Sequence, residues 1–456
     1  MYKNDTICAV ATGMGQSAIG IIRISGPEAI EVSDRLFRGR RRLSELPSFT
    51  AAFGHIYDGD KKMDEVIALV MKGPHTYTTE DTVELDCHGG PLVMRRIMEL
   101  LVKEGIRPAE PGEFTKRAYL GGRIDMTGAE AVMDVINAEN DMALQSSLDQ
   151  LSGSLRKAIT ELRDKILYET AFIESAIDDP ENYSLDGYSE KLDGVINDVA
   201  ASIDKLIETG DEGRIIKEGI RTAIVGRPNV GKSSIMNMLT GTDRAIVTDI
   251  EGTTRDTLEE YISFGGITLK LIDTAGIRDT DDAVEKIGVD RAIESMEKAD
   301  LVMLVLDSSE SLNENDIRLI EMIRDRKYIV LVNKSDMESV LGDGDLGGLD
   351  KDRIIQISAK SGEGFDLLRD KIREMFFSAE IDFNNQIYIT NVRHKASLIR
   401  AKESLDRVKA SIEDGMGEDF YTIDLMAAYE SLGEIIGETL EDDLADKIFK
   451  EFCMGK

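Results

Sequence analysis

The nine residues Gly226-Arg-Pro-Asn-Val-Gly-Lys-Ser-Ser234 constrain the fold more than any other stretch of this chain. They follow the apolar run Ile220–Val225 and precede a predicted helix from Ser233 to Leu239. A strand, a glycine-containing loop and a helix in this order form a phosphate-binding loop, in which backbone N–H groups and a helix N-terminus surround a phosphate. We expect Lys232 to reach the β- and γ-phosphates and Ser233 to ligate Mg²⁺. The chain is therefore predicted to bind a nucleoside triphosphate.

The acidic composition restricts the kinds of partner that the chain can hold. Among 456 residues there are 87 acidic and 55 basic side chains, a net charge of −32. This excess argues against a broad surface that neutralises nucleic-acid phosphates, and the dense basic run Arg38-Gly-Arg-Arg-Arg42 is expected to be a solvated loop rather than an RNA contact. Three widely spaced cysteines, no export signal and no apolar run of membrane-spanning length predict a reduced, cytoplasmic protein.

Changes in hydrophobic periodicity divide the chain into four predicted segments. Residues 1–117 mix short strands with helices and predict an α+β domain, whereas residues 118–217 are predicted to be all-α. Residues 218–378 alternate strand and helix, which indicates a parallel sheet wrapped by helices. Residues 379–456 return to helices. The predicted fold is therefore multidomain, with a Ras-like α/β P-loop domain inserted into a helical domain that both flanks build.

Two features of the helical region lead to specific expectations. An apolar stripe at steps of three and four is predicted to form the core face of a long helix. Its members are Leu144, Leu148, Leu151, Leu155, Ile159, Leu162 and Ile166. A later helix is predicted from Ser189 to Thr209, with Gly210 to Gly213 leading into the strand before the phosphate loop.

Four further segments extend the prediction from a triphosphate site to a GTPase. Asp273-Thr-Ala-Gly276 follows an apolar strand, so its aspartate can hold Mg²⁺ through water and its last N–H can reach the γ-phosphate. In Asn333-Lys-Ser-Asp336 a carboxylate can accept both guanine N1–H and N2–H₂, a pairing that adenine lacks. Ser358-Ala-Lys360 suits a backbone contact to guanine O6, and Gly252-Thr-Thr-Arg-Asp256 offers a threonine to Mg²⁺. Together they predict a G domain that hydrolyses GTP.

The residue that positions the attacking water is not the usual one. Position 277 is Ile, where small GTPases of the Ras type carry a glutamine, and an alkyl side chain cannot orient water. The catalytic group must therefore come from another residue. The acidic candidates, which the residues alone do not rank, are Asp279, Asp281, Asp282 and Glu285.

These motifs resemble a known family. Asn-Val-Gly-Lys-Ser, Gly-Thr-Thr-Arg-Asp and Asp-Thr-Ala-Gly-Ile-Arg are similar to the TrmE-Era-EngA type of translation-linked GTPases, which includes Era and Der. The segments Asp5-Thr-Ile-Cys-Ala-Val-Ala-Thr12, Glu110-Pro-Gly-Glu-Phe-Thr-Lys-Arg-Ala118 and Cys453-Met-Gly-Lys456 resemble one family within it, the MnmE (TrmE) tRNA-modification GTPases. The resemblance extends over essentially the whole chain.

The resemblance implies a function and a set of partners. It implies a homodimer formed through the N-terminal domain, a 5-formyl-tetrahydrofolate site in that domain, and GTP hydrolysis that K⁺ stimulates. With the flavin-containing partner MnmG, in a heterotetramer, the chain would modify C5 of the wobble uridine U34 of certain tRNAs to a (carboxymethyl)aminomethyl group. The alternative is a ribosome-assembly GTPase of the Era or Der class, which would act as an RNA-binding switch.

The resemblance also implies roles for individual residues. Arg23, Glu84, Arg123 and Lys456 would contact the folate, although the residues alone favour Arg23 as an exposed strand-end arginine and Glu84 as an exposed sheet residue. The implied catalytic residues are Lys232, Glu285 and Cys453, and a buried apolar role for Cys453 stays open. The implied metal ligands for K⁺ and Mg²⁺ are Asn229, Ser233, Thr248, Ile250, Thr253 and Thr254. The implied contacts to GTP, GDP and these ions are Asn229, Val230, Gly231, Lys232, Ser233, Ser234, Thr248, Asp249, Ile250, Glu251, Gly252, Thr253, Thr254, Asp273, Thr274, Ala275, Gly276, Asn333, Lys334, Asp336, Ser358, Ala359 and Lys360.

Overall fold

The structure, a computed structural model, divides into two compact units. It describes residues 5–13, 15–242, 260–272, 293–342, 346–377, 386–438, 445, 448–450, 452 and 455. The first unit consists of Met1–Met133, Gln150–Val195 and Glu403–Lys456, and the second of Asp134–Asp149 and Ile196–Lys402. The four predicted domain boundaries stay predictions.

The first unit contains a seven-stranded sheet with helices on one face. Its strands are β1 (Ile7–Val10), β2 (Ile19–Ser25), β3 (Phe37–Gly39), β4 (Thr50–Asp58), β5 (Lys61–Met71), β6 (Thr82–His88) and β7 (Arg107–Pro108), in the order β3-β4-β5-β6-β2-β1-β7. All neighbours are antiparallel except β1 and β7. Helices α1 (Ala29–Leu36) and α2 (Pro91–Lys103) pack on alternate residues of these strands, such as Ile22, Val83 and Ala68. The side chains between them point to the opposite face, where Ile19 and Ile67 are exposed.

Five helices follow, and the exposure of apolar residues on α5 contradicts part of the predicted core stripe. They are α3 (Glu113–Leu120), α4 (Met126–Ile136), α5 (Asp141–Leu151), α6 (Ser154–Asp178) and α7 (Tyr188–Glu218). Gly153, with φ 91°, separates α5 from α6 and breaks the helical phase. Leu155, Ile159, Leu162 and Ile166 are buried as predicted, but Leu144, Leu148 and Leu151 are exposed. The prediction of one continuous core face is therefore wrong for the α5 half of the stripe.

Helix α7 continues past its predicted end at Thr209. Glycines inside a helix cost about 1 kcal/mol each relative to alanine, which is why the sequence favours an end there. In the structure a Cβ on Gly213 would lie 2.4 Å from the Ile389 carbonyl oxygen. Glycine thus permits a close approach of the 389 segment, and burial of Ile215 and Ile216 extends the helix to Glu218.

The second unit contains the predicted α/β sheet. Its strands are β8 (Ile220–Val225), β9 (Glu260–Phe264), β10 (Ile267–Leu271), β11 (Leu301–Asp307), β12 (Tyr328–Asn333) and β13 (Ile354–Gln356), in the order β13-β12-β11-β8-β10-β9, and only β9 runs antiparallel to its neighbour. Helices α8 (Lys232–Thr242), α9 (Glu314–Ile323) and α10 (Phe365–Phe376) cover it. Apolar side chains of β8, β11 and β12 alternate between two separate cores, because helices pack on both faces.

The chain after the sheet forms α11 (Val392–Glu413) and α12 (Glu418–Ile436). Two short 3-10 helices, at Leu43–Glu45 and Lys351–Arg353, occur earlier in the chain. Helix α12 packs on α6 in the first unit, where the Arg163 guanidinium lies 4.0 Å from the centre of the Tyr429 ring. An α+β region, a helical region and an inserted P-loop α/β sheet together confirm the predicted fold class. Of the helices that the structure describes, none combines the length and apolar character needed to cross a bilayer.

Candidate functional site

The phosphate loop between β8 and α8 has a backbone that only particular residues can adopt. Gly226 and Gly231 have φ of 150° and 99°, and Asn229 has φ 65°. A Cβ on Gly226 would lie 2.4 Å from the Val305 carbonyl oxygen, and one on Gly231 would lie 2.2 Å from Asn333 Nδ2. Both glycines are therefore required by sterics as well as by φ. This is the backbone curl that the sequence motif predicts.

Lys232 begins α8 and turns its ammonium back over the loop. Its Nζ donates hydrogen bonds to the carbonyl oxygens of Gly226, at 2.7 Å, and Arg227, at 2.8 Å. Burial lowers the pKa of this ammonium below its usual range. The side chain is therefore held inside the loop, where its charge can meet phosphate oxygens beside the helix N-terminus.

Asn333, at the end of β12, joins the phosphate loop to the predicted guanine-contacting segment Ser358-Ala-Lys360. Its Nδ2 donates to the Val230 carbonyl oxygen at 2.8 Å, and its Oδ1 accepts from the Ala359 backbone N–H at 3.1 Å. The side chain is buried, so both hydrogen bonds are shielded from water. The residue thus fixes the spacing between the phosphate loop and the loop after β13.

Asp336 and Ser358 also come together as the base-recognition motifs require. The Ser358 hydroxyl donates to Asp336 Oδ1 at 2.8 Å, and the Ser335 N–H donates to the Ile357 carbonyl oxygen at 3.1 Å. Asp336 itself is exposed, whereas Ser358 is fully buried. The hydrogen bond from the buried Ser358 hydroxyl therefore holds the exposed Asp336 carboxylate in one orientation. Such an oriented carboxylate can accept two hydrogen bonds from one edge of guanine.

Lys334 is anchored by a residue that the sequence analysis did not single out. It has φ 66°, and its Nζ lies 2.5 Å from Asp307 Oδ2 at the end of β11. Burial raises the pKa of Asp307, but the hydrogen bonds from Lys334 and Ser309 outweigh that effect and the net pKa is lowered. Asp307 therefore stays ionised and holds the Lys334 side chain of the guanine motif. The pairing of consecutive parallel strands, β11 with β12, is the signal that could have pointed to it.

Arg227 is a second residue that sequence reasoning missed. Its guanidinium lies 2.7 Å from Glu310 and 3.7 Å from Asp316, the buried carboxylate in the first turn of α9. The second position of the phosphate loop is thereby tied to a neighbouring helix. No local pattern in the sequence indicates this contact.

A second group of predicted residues meets in the first unit. Arg23 on β2 and Glu84 on β6 are direct cross-strand partners, and Arg23 Nε lies 2.8 Å from Glu84 Oε1. Arg23 Nη1 also donates to the Gly455 carbonyl oxygen at 3.4 Å. The end of the chain is therefore adjacent to the predicted folate contacts, although the two segments are more than 400 residues apart.

Aromatic rings complete this group, and they were not predicted. The Arg23 guanidinium lies 5.6 Å from the ring centres of both Tyr77 and Phe114. Arg123 lies 4.8 Å from the Tyr77 ring centre and donates to the Tyr77 carbonyl oxygen at 3.1 Å. Tyr77 thus connects Arg23 with Arg123. Phe114 is fully buried, so the site offers two cations, one carboxylate and the aromatic face of Tyr77, a set of groups suited to a flat heterocycle with acidic substituents.

The remaining predicted site residues lie outside the described part of the chain. They are Thr248, Asp249, Ile250, Glu251, Gly252, Thr253, Thr254, Asp273, Thr274, Ala275, Gly276, Glu285, Cys453 and Lys456. Ile277 and the other acidic candidates, Asp279, Asp281 and Asp282, lie outside it as well. Their predicted roles stay predictions.

Comparison with known families identifies the family to which the chain belongs. Residues 6–123 match the family model described as the GTP-binding protein TrmE N-terminus. Residues 126–453, more than half of the chain, match the model of the MnmE helical domain. The chain belongs to the MnmE family of tRNA modification GTPases. The family resemblance predicted from the sequence motifs is thereby confirmed.

Relatives in the MnmE family match from end to end. The "tRNA modification GTPase MnmE" of Lachnoclostridium phytofermentans is 51% identical and covers 100% of both chains, and that of Clostridioides difficile is 45% identical with the same coverage. Among solved structures, an Aquifex aeolicus Era variant bound to GDP.AlF4− is 26% identical over 41% of this chain and 66% of its own. Its TM-score is 0.26, too low to support a conclusion.

Proposed function

We propose that this MnmE-family GTPase works with the flavoprotein MnmG to modify C5 of the wobble uridine U34 in certain tRNAs. It would install a (carboxymethyl)aminomethyl group with a carbon derived from 5-formyl-tetrahydrofolate, and hydrolysis of GTP to GDP and phosphate would drive the conformational cycle. One observation carries the folate part of the proposal. Arg23, Glu84, Arg123 and Tyr77 converge beside Gly455, at the end of the chain.

The chemistry of this cluster fits a reduced folate. The glutamyl tail of folate carries carboxylates that arginine can pair with, and its pterin ring has an edge of N–H donors that Glu84 can accept from. The face of the partly buried Tyr77 can pack on the flat ring system. Cys453 comes two residues before Gly455 in the sequence, and its thiolate would act on the uridine or on the carbon unit. Lys456 would add a further cation.

Titration with 5-formyl-tetrahydrofolate tests this site. Saturable binding to the wild-type chain is expected, and Arg23→Ala should weaken it by about 30-fold or more, because a charge pair to a ligand carboxylate is lost. Fluorescence quenching or calorimetry measures both. Arg95→Ala, on the exposed side of α2, removes the same charge from the same unit and should bind normally. Equal affinities in the two variants would place any folate elsewhere, and non-saturable binding by the wild-type chain would remove the folate step.

Potassium stimulation is proposed from Asn229. Its side chain is exposed in the phosphate loop, where the residue adopts a left-handed backbone conformation with φ of 65°. Within the described residues no hydrogen bond ties its amide oxygen, so this oxygen fits a K⁺ ligand. K⁺ there would supply the positive charge that an arginine finger supplies in other GTPases. Asn229 would hold the ion, together with carbonyl groups of Thr248 to Thr253, and pairing of two G domains would enclose it.

GTP turnover should therefore be faster in KCl than in NaCl at equal ionic strength, by about tenfold or more. Asn229→Gly keeps the positive φ but removes the amide oxygen, and it should abolish the preference while GTP binding persists. Phosphate release and nucleotide titration measure the two properties. Asn237→Ala, on the exposed side of α8, is the matched control and should retain the preference. Equal rates in both salts for the wild-type chain would exclude a potassium role.

The proposed roles of the Mg²⁺, phosphate and water-positioning residues of the G domain belong to the same proposal as the potassium site. Ser233, at the first turn of α8, would ligate Mg²⁺ with Thr254, and Asp273 would hold the ion through water. Lys232 would bind the phosphates, and Glu285 would orient the attacking water in place of the missing glutamine. Mg²⁺ would neutralise charge on the β- and γ-phosphates.

The proposed assembly is a cytoplasmic homodimer that joins MnmG in a heterotetramer and acts on tRNA. The exposed apolar side chains on the open face of the first sheet, including Ile19 and Ile67, support a dimer formed through the N-terminal domain. The strongly acidic surface supports delivery of tRNA by the partner over tight independent binding. The alternative of an Era- or Der-class ribosome-assembly GTPase is not proposed, since the helical and N-terminal family matches belong to MnmE.

A further inference from the structure

The side chain of Arg227 ties the phosphate loop to helix α9. Arg227 is the second residue of the loop, and its side chain is only 14% exposed. Its guanidinium lies 2.7 Å from the exposed Glu310 and 3.7 Å from Asp316, a side chain in the first turn of α9 that is 2% exposed. Exposed ion pairs contribute little, whereas breaking a buried pair is costly. The contact with Asp316 is therefore the one that can hold the arginine in place.

Asp316 is itself fixed by the start of α9. The Asp316 N–H donates to Asn313 Oδ1 at 2.9 Å, and the Asn313 N–H donates to Asp316 Oδ2 at 3.1 Å, which is a reciprocal capping box. The second carboxylate oxygen, Oδ1, is buried and accepts no hydrogen bond from the residues that the structure describes. A buried carboxylate in this state is stabilised by a cation beside it. Asp316 thus favours one position for the Arg227 guanidinium.

The segment that reaches Arg227 also holds the guanine motif. We call residues 307–316, from the end of β11 to the first turn of α9, the bridging segment. The Ser308 N–H donates to the Asn333 carbonyl oxygen at 2.9 Å, and the Ser308 hydroxyl donates to the Lys334 carbonyl oxygen at 2.9 Å. One short segment therefore contacts the guanine motif at its beginning and the phosphate loop at its end.

We infer that Arg227 is a positioning residue for GTP hydrolysis, which holds the phosphate loop in its binding conformation before the nucleotide arrives. Asn229 has φ 65°, a conformation that a residue other than glycine keeps only where its surroundings hold it. Lys232 Nζ donates to the Arg227 carbonyl oxygen at 2.8 Å, so the Arg227 backbone also sets the position of the lysine ammonium. The Arg227 guanidinium is engaged by carboxylates of the bridging segment, so it acts through the loop and not on the phosphates.

A tie of this kind has a characteristic kinetic effect. Without it, only a fraction of the chains hold the phosphate loop in the binding conformation, and the apparent affinity falls by that fraction. Bound phosphates restore the loop, because they accept hydrogen bonds from its N–H groups, so the chemical step is preserved. A group that contacts the reacting phosphate has the opposite effect, since its loss lowers kcat. The inference concerns nucleotide binding and does not depend on the folate, potassium or tRNA proposals.

GTP hydrolysis by variants of the full chain tests the inference. Arg227→Met should raise KM for GTP by about tenfold and leave kcat within about twofold of wild type. Titration with a fluorescent GDP analogue should show the same loss of affinity. Arg227→Lys should have an intermediate KM, because an ammonium keeps the charge but does not span two carboxylates. Arg318→Met removes the same charge from the exposed side of α9 and should behave as wild type.

A double-mutant cycle tests the pairing with Asp316. Asp316→Asn removes the charge but keeps an oxygen that can accept from the Asn313 N–H, so the capping box can persist. This variant should raise KM by about threefold, and its combination with Arg227→Met should have about the KM of Arg227→Met alone, because the two residues act as a unit. Effects that multiply in the double variant would show that Asp316 is not the anchor, and would overturn the proposed tie.

Three further results would overturn the inference. An unchanged KM in Arg227→Met would reduce the contact to a surface ion pair without a role in nucleotide binding. A fall in kcat at unchanged KM would place the guanidinium on the reacting phosphate. A rise in KM that Arg318→Met matches, or that accompanies a lower melting temperature of the nucleotide-free Arg227→Met chain, would attribute the effect to net charge or to stability. GTP hydrolysis by the wild-type chain is measured in the same experiment, so these results leave the proposed function untouched.

Discussion

Substitution of Asp336 by asparagine is expected to lower the affinity for GTP by about a thousandfold or more, and to raise the affinity for xanthosine triphosphate. The carboxylate can accept hydrogen bonds from guanine N1–H and N2–H₂, whereas an amide offers one acceptor and one donor. A site built for such a hydrogen bond rejects the analogue that lacks it by about 10⁴–10⁵. Xanthine carries an oxygen at C2, so it matches the amide N–H₂ of the variant. Calorimetric titration with both nucleotides measures the exchange of preference.

The contact between Ser358 and Asp336, at 2.8 Å, makes a control necessary. If Asp336 mainly holds the loop after β13 in place, Asp336→Asn should lose both nucleotides equally and lower the melting temperature. That outcome would contradict a direct role in base recognition. Glu338→Gln removes the same charge two residues away, at an exposed position, and should leave both affinities unchanged. Recovery of tight binding with xanthosine triphosphate would identify Asp336 as the group that contacts the base.

The nucleotide site was accessible from sequence because its determinants are local. The positive φ of Gly226 and Gly231 and the position of Lys232 follow from nine consecutive residues. The guanine motifs at Asn333 and Ser358 lie at the carboxyl ends of parallel strands, and parallel strands place those ends at one edge of the sheet. Topology therefore brings them together without further information.

Contacts that depend on register or on distant chain segments were not accessible in this way. Tyr77 reaches Arg23 and Arg123 through a loop between β5 and β6, and no spacing in the sequence indicates that approach. Only the family resemblance pointed to Arg23, since an arginine on a strand is most often just exposed. The exposure of Leu144, on the predicted core stripe, has a similar origin. Gly153, with its positive φ, interrupts the helix between the two halves of the pattern, so the periodicity of one half does not extend to the other.

A buried charge network in the first unit was also missed, and it leads to the second large effect. Arg117, on α3, is 2% exposed and lies 2.8 Å from Asp5, 3.0 Å from Glu80 and 3.1 Å from Glu113. Arg107 lies 2.7 Å from Asp5 and 2.6 Å from Glu113. The two arginines thus share two carboxylates, while Glu80 pairs with Arg117. The network connects β7, α3 and Asp5, which lies two residues before β1.

Arg117→Met should destabilise this region by about 3–5 kcal/mol, because it removes the buried cation that pairs with Asp5, Glu80 and Glu113. Arg107→Met, at a side chain that is 30% exposed, should cost less than half as much, since Arg117 remains. The chain has more than one unit, so local amide hydrogen exchange in β1 and α3 is a better measure than a single melting curve. Equal losses of protection in the two variants would contradict the central role of Arg117.

The same network predicts how stability depends on pH. Hydrogen bonds from Arg107 lower the pKa of Asp5 below its ordinary 3.8. Burial raises the pKa of Glu113, but hydrogen bonds from Arg107, the Glu110 N–H and Arg117 outweigh burial and bring this pKa below its ordinary 4.5. At a pH between the folded and unfolded pKa values of these carboxyls, the unfolded chain binds more protons than the folded chain. The stabilisation from the network is therefore complete above about pH 5, and it is lost as the pH falls through the folded pKa values. In Arg117→Met the carboxylates lose part of this depression, so protection of β1 and α3 should depend less steeply on pH below about 5. A variant that is uniformly destabilised, with the wild-type slope retained, would show that Arg117 acts through packing rather than through charge.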